Sequence, residues 1–109
     1  MIEFTATGPP PTVSDAIEAY AHGQGGLTAL VVPWESDRVR LSMAVTSVKS
    51  DGWAIEHTNL GTISLTDLGN ELTRVAIAAH EPDHPERQKL AALFDRFAHQ
   101  LQNKFEAAP

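Results

Sequence analysis

A chain of 109 residues, 42% hydrophobic and 20% charged, is sized for one domain spanning 1–109 that buries roughly 65% of the surface it exposes when unfolded. A net charge of −6 with no basic cluster argues against a nucleic-acid partner, and the lack of cysteine excludes disulfides and thiolate metal or redox chemistry. No uninterrupted apolar run, ALVV at 29–32 included, approaches bilayer length, and the opening MIEFTATG reads as a strand rather than a signal peptide, so a soluble cytoplasmic protein without membrane insertion is expected.

Ile2, Phe4 and Ala6 alternate with Glu3 and Thr5, which predicts a first strand over 2–6, ended by the prolines at 9–11. Ser14-Asp15 is placed to cap a short helix, DAIEAYAH, that stops before Gly23. After the GQGG turn, residues 27–32 are apolar and β-branched enough for a buried strand, ended by Pro33. Val39, Leu41, Met43 and Val45 then alternate with Arg40, Ser42, Ala44 and Thr46, the period of a half-buried antiparallel strand. SDG at 50–52 is a turn, and Trp53, Ile55 and His57 share one face of the next strand. TNLG reads as another turn, followed by a strand carrying Ile63 and Leu65. DLGNE turns the chain once more, and Thr73, Val75 and Ile77 face one way on the last strand. Turns this short predict a meander.

The C-terminal segment is a long helix. Leu90, Leu93, Phe94, Phe97, Leu101 and Phe105 fall at helical spacing and form one apolar stripe. From Pro85 to Ala107 such a helix would be about 34 Å long, and six strands would make a sheet roughly 29 Å wide, so the helix is expected to cross the whole sheet. The fold class is therefore α+β: an antiparallel meander of about six strands, in the order β-α-β5-α, gripping one long helix.

The octapeptide HEPDHPER at 80–87 invites a metal-site reading through His80 and His84. An i,i+4 pair aligns two ligands only on a continuous helix, and Pro82 and Pro85 interrupt one here. Asp83 followed three residues later by Glu86 looks instead like a capping box, with Pro85 in the first turn, so no metal site is expected. Nothing resembles a Gly-x-Ser-x-Gly elbow, a phosphate-binding loop, a dinucleotide glycine pattern or His-Glu-x-x-His, and no cofactor or catalytic set is expected. Trp34 reads as a rim or core aromatic rather than a binding platform.

Parity places Met43, Trp53, Ile55, Ile63 and Val75 on the helix-facing side of the sheet, opposite Phe94 and Phe97. His57 and Thr73 share that parity. They are either satisfied polar residues in a packed core or the few polar contacts that orient a ligand in an apolar pocket. These nine residues form the candidate binding set.

The stretch GTISLTDLGNELTRVAI, followed by RQKLAALFDRFAHQLQNKF, resembles the helix-grip fold of the START and polyketide-cyclase superfamily, in a shortened form. The resemblance covers about the last 50 residues well and the first 25 in outline; one helix and one strand usual in the family have no room here. It implies a fold that binds lipids or other apolar ligands, or performs cyclase-like chemistry, and carries over no catalytic residues.

Three functions stand open on these grounds. The first is non-catalytic binding of an apolar small molecule between sheet and helix. The second is a protein–protein module with a filled core that associates with itself as a homodimer. The third, weaker, is a cyclase-like enzyme using His57; whether the protein is an enzyme at all is left open, with the balance against it.

Overall fold

Every second residue of the first strand is apolar, and the structure uses that alternation as expected. A computed structural model describes residues 2–23, 27–35, 38–48, 55–81 and 85–107, with side chains at 2–23, 39–44, 58–81 and 85–107. Strand β1 (Ile2–Thr7) buries Phe4 and Ala6 and exposes Glu3 and Thr7. It is followed by α1 (Pro10–His22), β2 (Leu27–Glu35), β3 (Arg38–Val48), β4 (Ile55–Gly69), β5 (Leu72–Ala79) and α2 (Arg87–Phe105). Among the described residues the sheet therefore has five strands, not about six. They run antiparallel in the order β1-β5-β4-β3-β2.

The missing strand is accounted for by TNLG. It is not a turn: β4 runs through it for 15 residues. Met43 pairs with Gly61 and Ala44 with Asn59, so Leu60 is an extra residue, a β-bulge. The Asn59 side chain accepts the Gly61 N–H at 2.9 Å. Asn and Gly serve turns and bulges alike, because both tolerate backbone that leaves the ladder. The turn expected at DLGNE is present, with Gly69, Asn70 and Glu71 at φ of 79°, 54° and 59° and the Asp67 carboxylate accepting the Gly69 N–H. Three successive left-handed residues are what reverses the chain there.

Both helices start differently from expectation. The prolines after β1 begin α1 rather than precede it: Pro9 is the N-cap, Pro10 and Pro11 occupy the first turn, and Val13 N–H donates to the Pro9 carbonyl at 3.1 Å. Proline loses nothing in a first turn, where its N–H would have no helical partner. Ser14, expected at the cap, is instead buried within the helix. Helix α2 begins at Arg87 with Glu86 as its N-cap; Asp83, expected as the cap, lies outside the described residues. Strand β2 also continues past Pro33 to Glu35.

One core holds the two layers together. Val13, Ile17 and Ala21 of α1 and Phe94, Phe97, Ala98 and Leu101 of α2 meet Phe4, Leu41, Met43, Ile63, Leu65, Val75 and Ile77 from the sheet. Contrary to the expected single helix across the sheet, the helices divide it: α2 packs on β1, β5 and β4, and α1 packs most extensively on β2. Tyr20 closes the seam between them, stacked on Phe97 at 5.8 Å and edge-on to Phe105 at 6.1 Å. Lys104 Nζ sits 5.2 Å from the centre of the Tyr20 ring.

Candidate functional site

The candidate site is the seam between the sheet and the helices. Period-2 alternation in β3, β4 and β5 turns Met43, Ile63, Thr73 and Val75 to one face, and helical spacing brings Phe94 and Phe97 onto it. The structure thus brings together six of the nine candidate residues: Met43, Ile63, Thr73 and Val75 are fully buried, and Phe94 and Phe97 are 1% and 2% exposed. Among the described residues they pack into one core cluster. Against Phe94 the sheet–helix seam leaves a space of about 70 Å³, bordered also by Ile2, Ile77 and Ala98. Pockets for small organic ligands run to about 300–1,000 Å³, so this space is well short of one.

Thr73 is the polar member of the set. Its hydroxyl donates to the Gly8 carbonyl at 2.7 Å, which ties the end of β5 to the β1–α1 connection. Gly8 N–H in turn donates to the Glu71 carbonyl at 2.6 Å. The Thr73 hydroxyl is therefore engaged with backbone, and its chemistry in this arrangement is structural.

The other three candidates behave differently. Trp53 lies outside the described residues, as do the side chains of Ile55 and His57. The bulge at Leu60 nevertheless alters the parity argument that linked them to Ile63. Buried positions of β4 are even-numbered before the bulge, at Thr58 and Leu60, and odd-numbered after it, at Gly61, Ile63 and Leu65. An extra residue flips the alternation along β4, so a parity count does not carry across Leu60. In the backbone register His57 stands opposite Thr46 and Ile55 opposite Val48.

Gly61 was not a candidate, yet it shapes the seam. A side-chain carbon there would lie 2.5 Å from the Phe94 ring and 2.6 Å from the Ala78 carbonyl. The ring packs directly on bare backbone at the bulge. The signal in the sequence was a glycine inside an alternating run, which marks a bulge or a close approach.

A second cluster sits on the surface where β5 runs out towards α2. His80 Nε2 is 2.9 Å from the Thr62 hydroxyl, and the His80 backbone N–H donates to the Leu60 carbonyl. Glu81 and Arg87 stand 3.8 Å apart across an open cleft of about 450 Å³ lined by Ala79, His80, Gln88 and Ala91. His84 lies outside the described residues; among those described, no three His, Asp or Glu side chains converge as a metal site would need. No described helix is long and apolar enough to cross a membrane. No protein-family model, curated protein or solved structure matches the chain.

Proposed function

We propose that this domain is a non-catalytic protein–protein interaction module rather than a carrier that encloses an apolar small molecule. The observation that carries this reading is the packing of the seam among the described residues: six of the nine residues best placed to contact a ligand are used up in packing Phe94, Phe97 and Leu101 against the sheet. What remains available lies outside the core, on the sheet's edges and on the face away from the helices. That face carries short side chains, among them Ser42, Thr62, Ser64, Ala76 and Ala78, all partly exposed. The order strand, helix, meander, long helix supports reading the fold as a shortened helix grip related to the START and polyketide-cyclase superfamily, with the cavity replaced by core. A cytoplasmic setting fits the cysteine-free sequence.

Two measurements separate this from the ligand-carrier reading. Native mass spectrometry of gently purified protein is expected to give the mass of the chain with no apolar species attached. Thr73→Leu adds volume to a full core and removes the bond to Gly8, so urea unfolding should show a loss of at least about 1–3 kcal/mol. A bound apolar molecule together with a tolerated Thr73→Leu would sink the interaction reading and restore the carrier.

A further inference from the structure

The backbone of β2 has an orientation that can be worked out from both edges of the sheet. Within an antiparallel strand the N–H and C=O of one residue point to one side and those of the next residue to the other. At the β1 edge the Thr5 carbonyl accepts the Ala107 N–H at 2.7 Å, so Thr5 faces away from β5. The alternation then directs Phe4 and Ala6 to Val75 and Thr73. Arg74 and Ala76 consequently face Thr66 and Ser64, while Ile63 and Leu65 face Leu41 and Val39. Arg40, Ser42 and Ala44 are left to bond Val32, Leu30 and Thr28. Leu27, Ala29 and Val31 must point away from β3, to the side on which no described strand pairs with β2. Pro33 gives the same answer independently. It pairs with Val39 but has no N–H, and a sheet accepts proline where that nitrogen faces an edge.

The two edges are treated differently. On β1 the chain's own residues after α2 cover part of the edge, through the Ala107–Thr5 bond and a bridge between Ala6 and Glu106. On β2, the last strand of the sheet on its side, Leu27, Ala29 and Val31 offer both donor and acceptor outward within LTALVV, a segment with no charge, proline or glycine. Such a segment on an edge is what proteins ordinarily break up with charges or inserted prolines.

We propose that the β2 edge pairs antiparallel with the β2 edge of a second copy of this chain, which rests on the interaction-module reading and adds to it the surface, the partner and the register. The two-fold axis falls at Ala29, which faces Ala29 of the second copy, while Leu27 faces its Val31. Each of these facing pairs exchanges two N–H···O bonds. Moving the axis to Val31 would set Ala29 against Pro33 and lose a donor on each side, so the proline selects the register. The strip from Leu27 to Pro33 carries no ionisable group, and two chains of net charge −6 can meet along it without opposed carboxylates. A strand paired with itself about a two-fold axis is self-complementary and closed, so the product is a dimer with one continuous sheet.

Sedimentation equilibrium of the full chain, combined with residue-resolved amide exchange, tests this. The mass should rise from one chain to two with concentration, and exchange at Leu27, Ala29 and Val31 should slow on the order of tenfold over the same range. Thr28, Leu30 and Val32, already bonded to β3, should not change. Ala29→Pro removes a donor the monomer does not use; it should give a single-chain mass with an unchanged circular dichroism spectrum. If Ala29→Pro disturbs folding, the exchange pattern of the unaltered chain decides alone. A mass of one chain at every concentration, or a dimer whose Ala29 and Val31 amides exchange independently of concentration, overturns the proposal, as does protection of β2 only by an added foreign peptide. None of these outcomes puts a ligand in the core, so the interaction reading stands or falls separately, on native mass spectrometry and Thr73→Leu.

Discussion

Gly61 shows how one residue can settle both a strand and a helix. It directly follows the extra residue of the β4 bulge, and its missing side chain is what lets the Phe94 ring approach the backbone. Adding one methyl group puts a carbon inside contact distance of the ring and of the Ala78 carbonyl at once. The ring can shift by moving α2; the carbonyl is held in the β4–β5 ladder, where Thr62 pairs with Ala78. Gly61→Ala should therefore lower stability in urea by about 1–3 kcal/mol, the usual range for overpacking a core. Combining it with Phe94→Leu should recover only part of that loss, since the carbonyl contact remains. Full recovery in the double variant would show that the ring alone sets the constraint, and a neutral Gly61→Ala would mean the bulge has room that the geometry denies.

At the scale of elements, the apolar stripe of α2 is the firmest prediction to make from sequence, and the structure sharpens it. Phe97 is 2% exposed and stacks on Tyr20, so it links α2 to α1 as well as to the sheet. Phe97→Ala should cost about 3–5 kcal/mol, measured by the shift in urea midpoint at constant slope; a loss below about 1 kcal/mol would mean that the stripe is not a core face. Elements of this kind were legible because burial imposes a period, and period is written in the residue order. The alternation through Phe4 and Ala6, and through Thr73, Val75 and Ile77, is visible for the same reason. Punctuation was harder. Asn59-Leu60-Gly61 has the composition of a turn but performs a bulge, because the property that suits Asn and Gly to turns also suits them to an irregular ladder. Three prolines in a row look like a barrier, yet the first turn of a helix has no use for their missing N–H groups. The candidate site suffered from the same ambiguity. Residues after the bulge keep their parity with Ile63, whereas a parity count towards Ile55 and His57 has to cross Leu60, and those two side chains lie outside the described residues.

For the whole molecule, the question is why association through an open edge would stop at two copies. A five-stranded sheet has two edges, and if both could accept a strand the product would be an open chain of molecules rather than a dimer. The residues that follow α2 bear on this directly. Glu106 and Ala107 lie along β1, where Ala107 N–H occupies the Thr5 carbonyl and Glu106 bridges to Ala6, so a strand arriving at β1 meets chain instead of unpaired backbone. Removing everything after Phe105 would take away the Ala107–Thr5 bond and the Glu106 N–H bond to the Gln102 carbonyl that caps α2, each at a cost of about 0.5–1.5 kcal/mol to the monomer, and should leave the core in place. It would also bare Thr5, whose backbone groups point outward like those of Glu3 in the phase set by the Ala107 contact. The shortened chain should therefore pass beyond the proposed dimer, giving a mass in sedimentation that continues to climb with concentration where the intact chain is expected to level off at two copies. Ala29→Pro in the shortened chain, which blocks the other edge, should bring association back to pairs formed through β1. If the shortened chain levels off at the same mass as the intact one, the contact at Thr5 is not what closes the assembly, and the Glu3 side chain on β1 becomes the next barrier to remove.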